Sequence, residues 1–530
     1  MDFDYIIVGA GSAGGVLAER LSSNPANRVL LLEAGPNDDS ALVHMPRANA
    51  RLFSDPARAW HFQTEDQDGI RPEVWIRGKM LGGTSSINGM LYFHGLQQDY
   101  EAWEAEGAAG WSWPSMQRAF EAIERVELGG RASTGHGLLG ISHEPGRSAL
   151  TEAFLAAGEQ MGVPRVADLN QAPGGGAGYV PRTIWKGRRQ STASTFLKAA
   201  RARKNLKVVT NATVLRVIFD NRRAAGVSAD VAGQLQEFRS EGEVIVSAGA
   251  LASPQILERS GVGSAELLRA LGIPVVFDST GVGEHLLEHL CLMYYYDLTR
   301  PYSHNREVRG LRLAANVLRY YLAGSGPMTT AFATVGAFAP VLPGSTTPDV
   351  ELLLSQVVGD VDKTGKIVAE SGNSIGVCAY PCRSRSEGSV HIASADPAVP
   401  VRIRAGYLSD PYDRGITIAM HRFVRRWMSQ PAIAPLIARE REPMHSAETD
   451  EEILEVARAT GSSANHAGGT CRMGSGPGAV LDEKLRVRGV ERLRVVDGSI
   501  MPTMVSANPN GAIMASAWKA AQLILEGRNR

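Results

Sequence analysis

The chain has 530 residues, and its 55 basic and 55 acidic side chains give a formal net charge of zero. Balanced charge offers no electrostatic reason to expect nucleic acid or an anionic membrane as a partner. The length exceeds one ordinary hydrophobic core and predicts two or three domains. Four cysteines (Cys291, Cys378, Cys382 and Cys471) make no disulfide framework in a chain this long. Cys378 and Cys382 lack the second pair that a zinc site needs, so no metal is expected.

Tyr5 to Val8 reads as a short apolar strand, and Gly9-Ala10-Gly11-Ser12-Ala13-Gly14 follows at once. Gly15 to Leu21 reads as a helix, and a second apolar strand, Val29 to Leu32, ends at Glu33. Strand, glycine loop, helix, strand and terminal acid form the fingerprint of dinucleotide binding. The glycines allow a tight turn and a close backbone approach, and the helix N-terminus presents free N–H groups to phosphate. A carboxylate at Glu33 suits a ribose diol.

Farther on, Trp103 to Arg125 reads as helical, Gly129 to Gly140 as a connector and Leu150 to Met161 as a helix. Strands are predicted around residues 208–210, 213–215 and 217–219, with a hairpin connection at 222–227 and a buried strand, Glu243 to Ser247. From about 296 to 460 consecutive strands precede a helix from Asp413 to Met428. That order suggests an antiparallel sheet flanked by helices. The strand from Leu493 to Asp497 and a helix from Ala512 to Leu525 then return to the first domain. The expected class is α/β, a Rossmann-like domain (1–155, 205–295 and 465–530) with an inserted α+β domain (156–204 and 296–464). No run of about eighteen apolar residues is present. Leu311 to Leu322 comes nearest, but Arg312, Asn316 and Arg319 interrupt it. It reads as an amphipathic helix laid over a core or pocket. The first strand begins within five residues of Met1, so no leader is expected and a reducing cytoplasm fits best.

Two further segments carry a resemblance. The first is Gly78-Lys79-Met80-Leu81-Gly82-Gly83-Thr84-Ser85-Ser86-Ile87-Asn88, continuing to Tyr92 and Gly95. The second is Gly249-Ala250-Leu251-Ala252-Ser253-Pro254-Gln255-Ile256-Leu257, ending in Ser260-Gly261-Val262-Gly263. With the N-terminal fingerprint they resemble the glucose–methanol–choline (GMC) oxidoreductases, which use FAD, over nearly the whole chain. On residue types alone, the Gly82–Ser86 loop is also readable as a helix cap and Asp497 as an ordinary strand-end cap.

The resemblance implies that FAD is held by Gly9, Gly11, Ser12, Ala13, Gly14, Glu33, Ala34, Gly82, Gly83, Ser86, Asn88, Gly89, Leu91, Val214, Ala248, Asp497, Gly498 and Asn508. Ile87 stands where some members carry a flavin-tethering histidine, so noncovalent FAD is expected. Asn465-His466-Ala467-Gly468-Gly469 and Ser506-Ala507-Asn508-Pro509-Asn510 resemble the two catalytic segments. His466 is expected to take the hydroxyl proton of an alcohol, and Asn510 to orient its oxygen during hydride transfer to flavin N5. An Asx turn is the plainer reading of Asn510. Cys378, Tyr380 and Asn465 are candidates for the pocket wall. His285 and His289, four apart, make an incomplete metal site and read as structural.

The expected reaction is oxidation of a neutral primary alcohol, aromatic, furanic or sugar-like, to an aldehyde, since no acidic cluster suits a cation such as choline. Oxygen is the narrowly preferred acceptor, and a quinone-type acceptor the alternative. A non-redox lyase or a light-driven decarboxylase on the same scaffold are further alternatives.

Overall fold

The computed structural model describes residues 2–67, 69–127, 135–143, 146–361 and 367–528. Two seven-stranded sheets organise them. In the first, Leu206–Val209, Val29–Leu32, Phe3–Val8, the end of Gln234–Val246 and Leu493–Val495 run parallel. Such strands are covered on both faces and read as continuous apolar runs. Val29–Leu32 is buried throughout. The strand Gln234–Val246 pairs antiparallel with Arg223–Val231 at its start and parallel with Phe3–Val8 at its end. It thereby carries a three-stranded meander, completed by Ala212–Asp220, into the parallel sheet.

The helix Ser12–Leu21 leaves the first strand through the glycine loop and packs against the last helix, Asn510–Arg528. The two ends of the chain therefore meet at the loop. Trp103 to Arg125 is not one helix. Gln97–Ala105 and Trp113–Ile123 are separated by a turn that buries Trp111. Ser112 and Pro114 start the second helix, proline being tolerated in a first turn. Part of the expected 129–140 connector lies outside the described residues.

The second sheet is antiparallel in the order Ile437–Glu440, Leu290–Leu298, Ser374–Pro381, Val350–Ser355, Val335–Ala339 and Gly176–Tyr179. Alternation divides its side chains. Leu292, Tyr294, Leu352, Leu354, Val377 and Ala379 pack on one face with Ile416, Met420, Val424 and Trp427 of the helix Pro411–Met428. Cys291, Phe338, Leu353, Cys378, Tyr380 and Cys382 lie on the other, packed with Met90, Leu91, Phe93 and Ala507. We propose that the domain division follows the sheets. Leu290–Leu298, which straddles the expected boundary at 295/296, then goes wholly with the second.

Candidate active site

Two backbone loops meet at the carboxyl ends of the parallel strands, where open α/β sheets bind ligands. Gly82 N–H donates to the Ala10 carbonyl at 2.8 Å, and Thr192 Oγ1 donates to the Gly11 carbonyl at 3.0 Å. A Cβ on Gly14 would sit 1.8 Å from the Gly9 oxygen, and one on Gly83 would sit 2.7 Å from Gly11 Cα at a φ of +50°. Both positions therefore exclude any side chain. Gly11 caps the helix without a side-chain bond, leaving first-turn N–H groups for a phosphate.

Glu33 is buried and accepts from Ala10 N–H at 2.9 Å and Gly35 N–H at 3.0 Å. Burial pushes its pKa up to about 7 against these donors. This cradle fits a dinucleotide such as FAD: packed backbone, free amides and a carboxylate at the strand end.

The next part of the loop is held by Arg189, which no sequence motif marks. Buried Arg189 donates to the Val43 carbonyl at 3.1 Å, and to both the carbonyl and Oδ1 of Asn88 at 2.8 Å. Asn88 Oδ1 also accepts from Met90 N–H at 3.1 Å. Met90 has a φ of +64°, a strained value for a side-chain-bearing residue at the turn before Leu91. Phe332 N–H donates to the Gly89 carbonyl at 3.0 Å. Ser86 Oγ donates to the Leu81 carbonyl. Ile87 is buried among Val43, Leu52 and Met80.

Asp497 braces a second loop. Its Oδ2 accepts from Gly249 N–H at 2.9 Å and Ser253 Oγ at 2.5 Å, and its Oδ1 accepts from Ser499 N–H at 2.8 Å. Its side chain thus caps the turn at Gly498–Ile500 and holds the segment that follows Ala248. Val214 lies in Ala212–Asp220 beside a break in strand register.

His466 is buried, and its surroundings fix its proton. The Cys382 carbonyl can only accept, so His289 Nε2, 3.0 Å away, must donate to it. Burial lowers the pKa of His289 to about 4, so the ring is neutral and its Nδ1 is an acceptor. His466 Nδ1, 2.9 Å away, is then the donor to His289. Burial, His289 and Arg77 hold the His466 pKa well below the usual histidine range, so His466 is neutral too. Its Nε2 therefore carries a lone pair, and Asn508 Nδ2 donates to it at 2.8 Å.

Glu288 holds the backbone here. It accepts from His466 N–H at 2.7 and 2.9 Å, from His289 N–H at 2.9 Å and from Ser463 Oγ at 2.8 Å. Burial raises its pKa to about 7, opposed first by Arg77, 3.6 Å away.

The asparagine beside the histidine is not the one expected. Asn508, not Asn510, touches His466. Asn510 is the first residue of the last helix, and that helix packs on the one beginning at Ser12. Its Oδ1 accordingly accepts from Ser12 Oγ at 2.7 Å, beside the glycine loop.

Tyr380 reaches the site. Its ring stacks on His289 at 4.8 Å and meets His466 edge-on at 5.5 Å. Tyr380 Oη is hydrogen-bonded to Glu351 Oε2 at 2.7 Å and lies 3.4 Å from Asn508 Oδ1. Glu351 faces Tyr380 and Phe338 across the strands. It is fully buried, and burial pushes its pKa up to about 8.

Cys378 lies on the same face, packed with Cys291 and Leu353. Asn465 is exposed, and its Oδ1 accepts from Arg77 Nη1 at 2.8 Å and Ile76 N–H at 3.2 Å. His285 and His289 share no helix. His285 has a φ of +57° and pairs with Glu387 at 2.5 Å, outside the chain of bonds around His466. Glu288, His289, Arg189 and Glu351 join the site through long-range packing, and no local motif marks their part in it.

The N-terminal domain of the GMC oxidoreductases matches residues 3–291 and the C-terminal domain matches residues 384–517. Mitochondrial choline dehydrogenase of Homo sapiens is 38% identical over 537 aligned residues, covering 99% of this chain and 90% of that protein. Alcohol dehydrogenase [acceptor] of Pseudomonas putida is 37% identical, covering 99% and 96%. The crystal structure of pyridoxine 4-oxidase from Mesorbium loti superposes with a TM-score of 0.87 at 28% identity, covering 98% of this chain and 99% of that one. The chain belongs to the GMC oxidoreductase family, FAD-dependent enzymes acting on CH–OH donors.

Proposed function

We propose that the protein oxidises an apolar primary alcohol to its aldehyde. His466 Nε2 takes the hydroxyl proton and Asn508 orients the alcohol oxygen. The observation that carries this reading is the bond sequence from the Cys382 carbonyl through His289 to His466, which leaves the lone pair on Nε2. A buried imidazole held neutral keeps that nitrogen unprotonated near neutral pH, as a general base requires. The Asn508 amide has two N–H groups. As the alcohol enters, the N–H now donated to His466 Nε2 would pass to the alcohol oxygen, which frees the lone pair for the hydroxyl proton and meets the oxygen as it gains negative charge.

Bound FAD supplies the acceptor for the carbinol hydride. Gly9, Gly11, Ala13, Gly14, Gly82 and Gly83 would hold its pyrophosphate by backbone, with Glu33 and Ala34 at the ribose and Val214 at the adenine. Ser12, Ser86, Asn88, Gly89, Leu91, Ala248, Gly498 and Asn510 would surround the rest. Attachment is noncovalent in this reading, because Ile87 offers no nucleophile. Acid precipitation should release the flavin.

Apolar side chains (Leu91, Phe93, Phe338, Leu353) line the sheet face toward His466 and favour an apolar alcohol. Glu351 is the buried acid of that face. Its carboxyl is engaged by Tyr380 and favours the neutral form, so it gives a quaternary ammonium little to bind. The electron acceptor is read differently from the sequence expectation of oxygen. Three relatives above 35% identity are named dehydrogenases, which favours a quinone-type acceptor.

The test is anaerobic mixing of the purified protein with a panel of primary alcohols, then admission of air. Bleaching of the oxidised flavin band by apolar alcohols, with slow return in air, is expected. Preference for choline would overturn the substrate class. A flavin that no alcohol bleaches would overturn the reaction, as a lyase or photodecarboxylase requires.

A further inference from the structure

The helix Gly310–Ala323 carries a second set of apolar side chains on its outer face. Its inner face holds Leu313, Val317 and Tyr320 against Met45, Ala48 and Met328, as expected of an amphipathic helix laid over a core, and two polar bonds add to this. Asn316 Nδ2 donates to the Glu307 carbonyl at 2.8 Å, and Tyr320 Oη donates to the His44 carbonyl at 3.2 Å. Leu311, Leu318, Tyr321 and Leu322 are 92%, 59%, 59% and 78% exposed. They are four of the ten large hydrophobic side chains exposed among the described residues, gathered on a single helix. Leu311, Ala315, Leu318 and Leu322 follow the spacing of one helix face. A clustered exposed patch of this kind marks an interaction surface.

The surrounding charge is one-sided. Residues 301–326 hold four arginines, Arg306, Arg309, Arg312 and Arg319, all exposed, against one acid, Glu307. Glu307 is already engaged by Arg312 at 2.7 Å. Whole-chain neutrality conceals this local excess. Among the described residues no helix is long and apolar enough to cross a membrane. A single outward leucine face edged by arginines suits a helix lying in the plane of a bilayer, with guanidinium groups at anionic headgroups. A second copy of the chain is the weaker occupant. Four side chains fall short of the roughly 800 Å² per partner that a standard protein interface buries.

We propose that the Gly310–Ala323 helix docks the enzyme on the surface of an anionic lipid bilayer. The chain leaving it runs through Ala331, Phe332 and Ala333, and Phe332 N–H donates to the Gly89 carbonyl in the predicted flavin loop. Docking here therefore sets the apolar face beside His466 near the bilayer. The proposal is independent of which alcohol is oxidised, and its test uses no substrate.

The flavin-loaded protein is sedimented with phosphatidylcholine vesicles, with and without phosphatidylglycerol. Sedimentation is expected with the anionic vesicles and should weaken as salt rises. The variant Leu318→Glu/Leu322→Glu should keep its flavin spectrum, which shows that it folds, and should bind at least about tenfold more weakly. A wild-type protein that stays in the supernatant with every vesicle overturns the proposal. So does a variant that sediments as the wild type does. A wild-type dimer that the variant converts to monomer, without vesicle binding, assigns the face to a second copy and overturns it as well.

Discussion

The cofactor cradle and the proton-accepting site, a few side chains apart, are built in opposite ways. The cradle is backbone. Its loops are contiguous in sequence, and glycine is required because one chain segment must lie against another, as Gly83 lies against Gly11. The proton site is side chain. Tyr380 and Glu351 come from two paired strands, and His289, His466 and Asn508 from loops, brought together only by long-range packing. A backbone site tolerates no added atom, whereas a side-chain site tolerates substitution in proportion to the bond removed.

The largest effect is expected where that contrast is sharpest. Gly14→Val should yield protein without flavin, because its Cβ would overlap the Gly9 carbonyl at 1.8 Å. Absorbance of the purified variant checks this, and normal flavin content would break the contrast. His466→Ala should keep the flavin and lower kcat by about 10² to 10⁴-fold, the range for loss of a general base. Rapid reaction with an alcohol measures it.

Asn508→Ala should cost about 10² to 10³-fold in kcat, as for an oriented donor at developing charge. Asn510→Ala should act mainly on flavin retention. A larger kcat loss for Asn510→Ala would restore the role expected from sequence alone. His289→Phe retains a ring to stack on Tyr380 but removes the Nδ1 acceptor. About a tenfold loss is expected, the scale of one hydrogen bond.

The smallest effect concerns Glu351, whose pKa is raised to about 8 by burial. Tyr380 has one hydroxyl proton. When Glu351 is protonated it donates to Tyr380 Oη, and the tyrosine proton is free for Asn508 Oδ1. When Glu351 ionises, that proton goes to the carboxylate. Activity should therefore fall as pH rises through about 8. Glu351→Gln, whose amide always donates, should flatten that alkaline limb.

Stability carries the same sign. Between the unfolded value of 4.5 and about 8 the folded state holds the extra proton, so stability declines as pH rises through that window. Thermal unfolding of the two proteins across it should diverge toward alkaline pH, the glutamine variant losing less.

The two asparagines show where sequence reading stops. Both stand in one five-residue segment, and spacing alone does not say which side of Pro509 faces the histidine. The helix starting at Asn510 decides, because its packing against Ser12–Leu21 points that side chain at Ser12. The outward leucines are a second instance. Period 3.6 between Leu311 and Leu322 identifies a helix, but a periodic stripe looks the same whether it faces a core or a bilayer.

By itself the sequence determined the glycine loops, the acid at the end of the second strand, the family and the segments that carry His466 and the two asparagines. These are legible because backbone conformation and close approach are local demands, met by particular residues at fixed spacing. Only the tertiary structure decided that Asn508 meets His466, that His289 sets its proton, that Glu351 stands behind Tyr380 and that Leu311, Leu318 and Leu322 face outward. Those outcomes depend on which strands pair, in what register and on which face. Long-range packing sets these pairings, and no local motif encodes them.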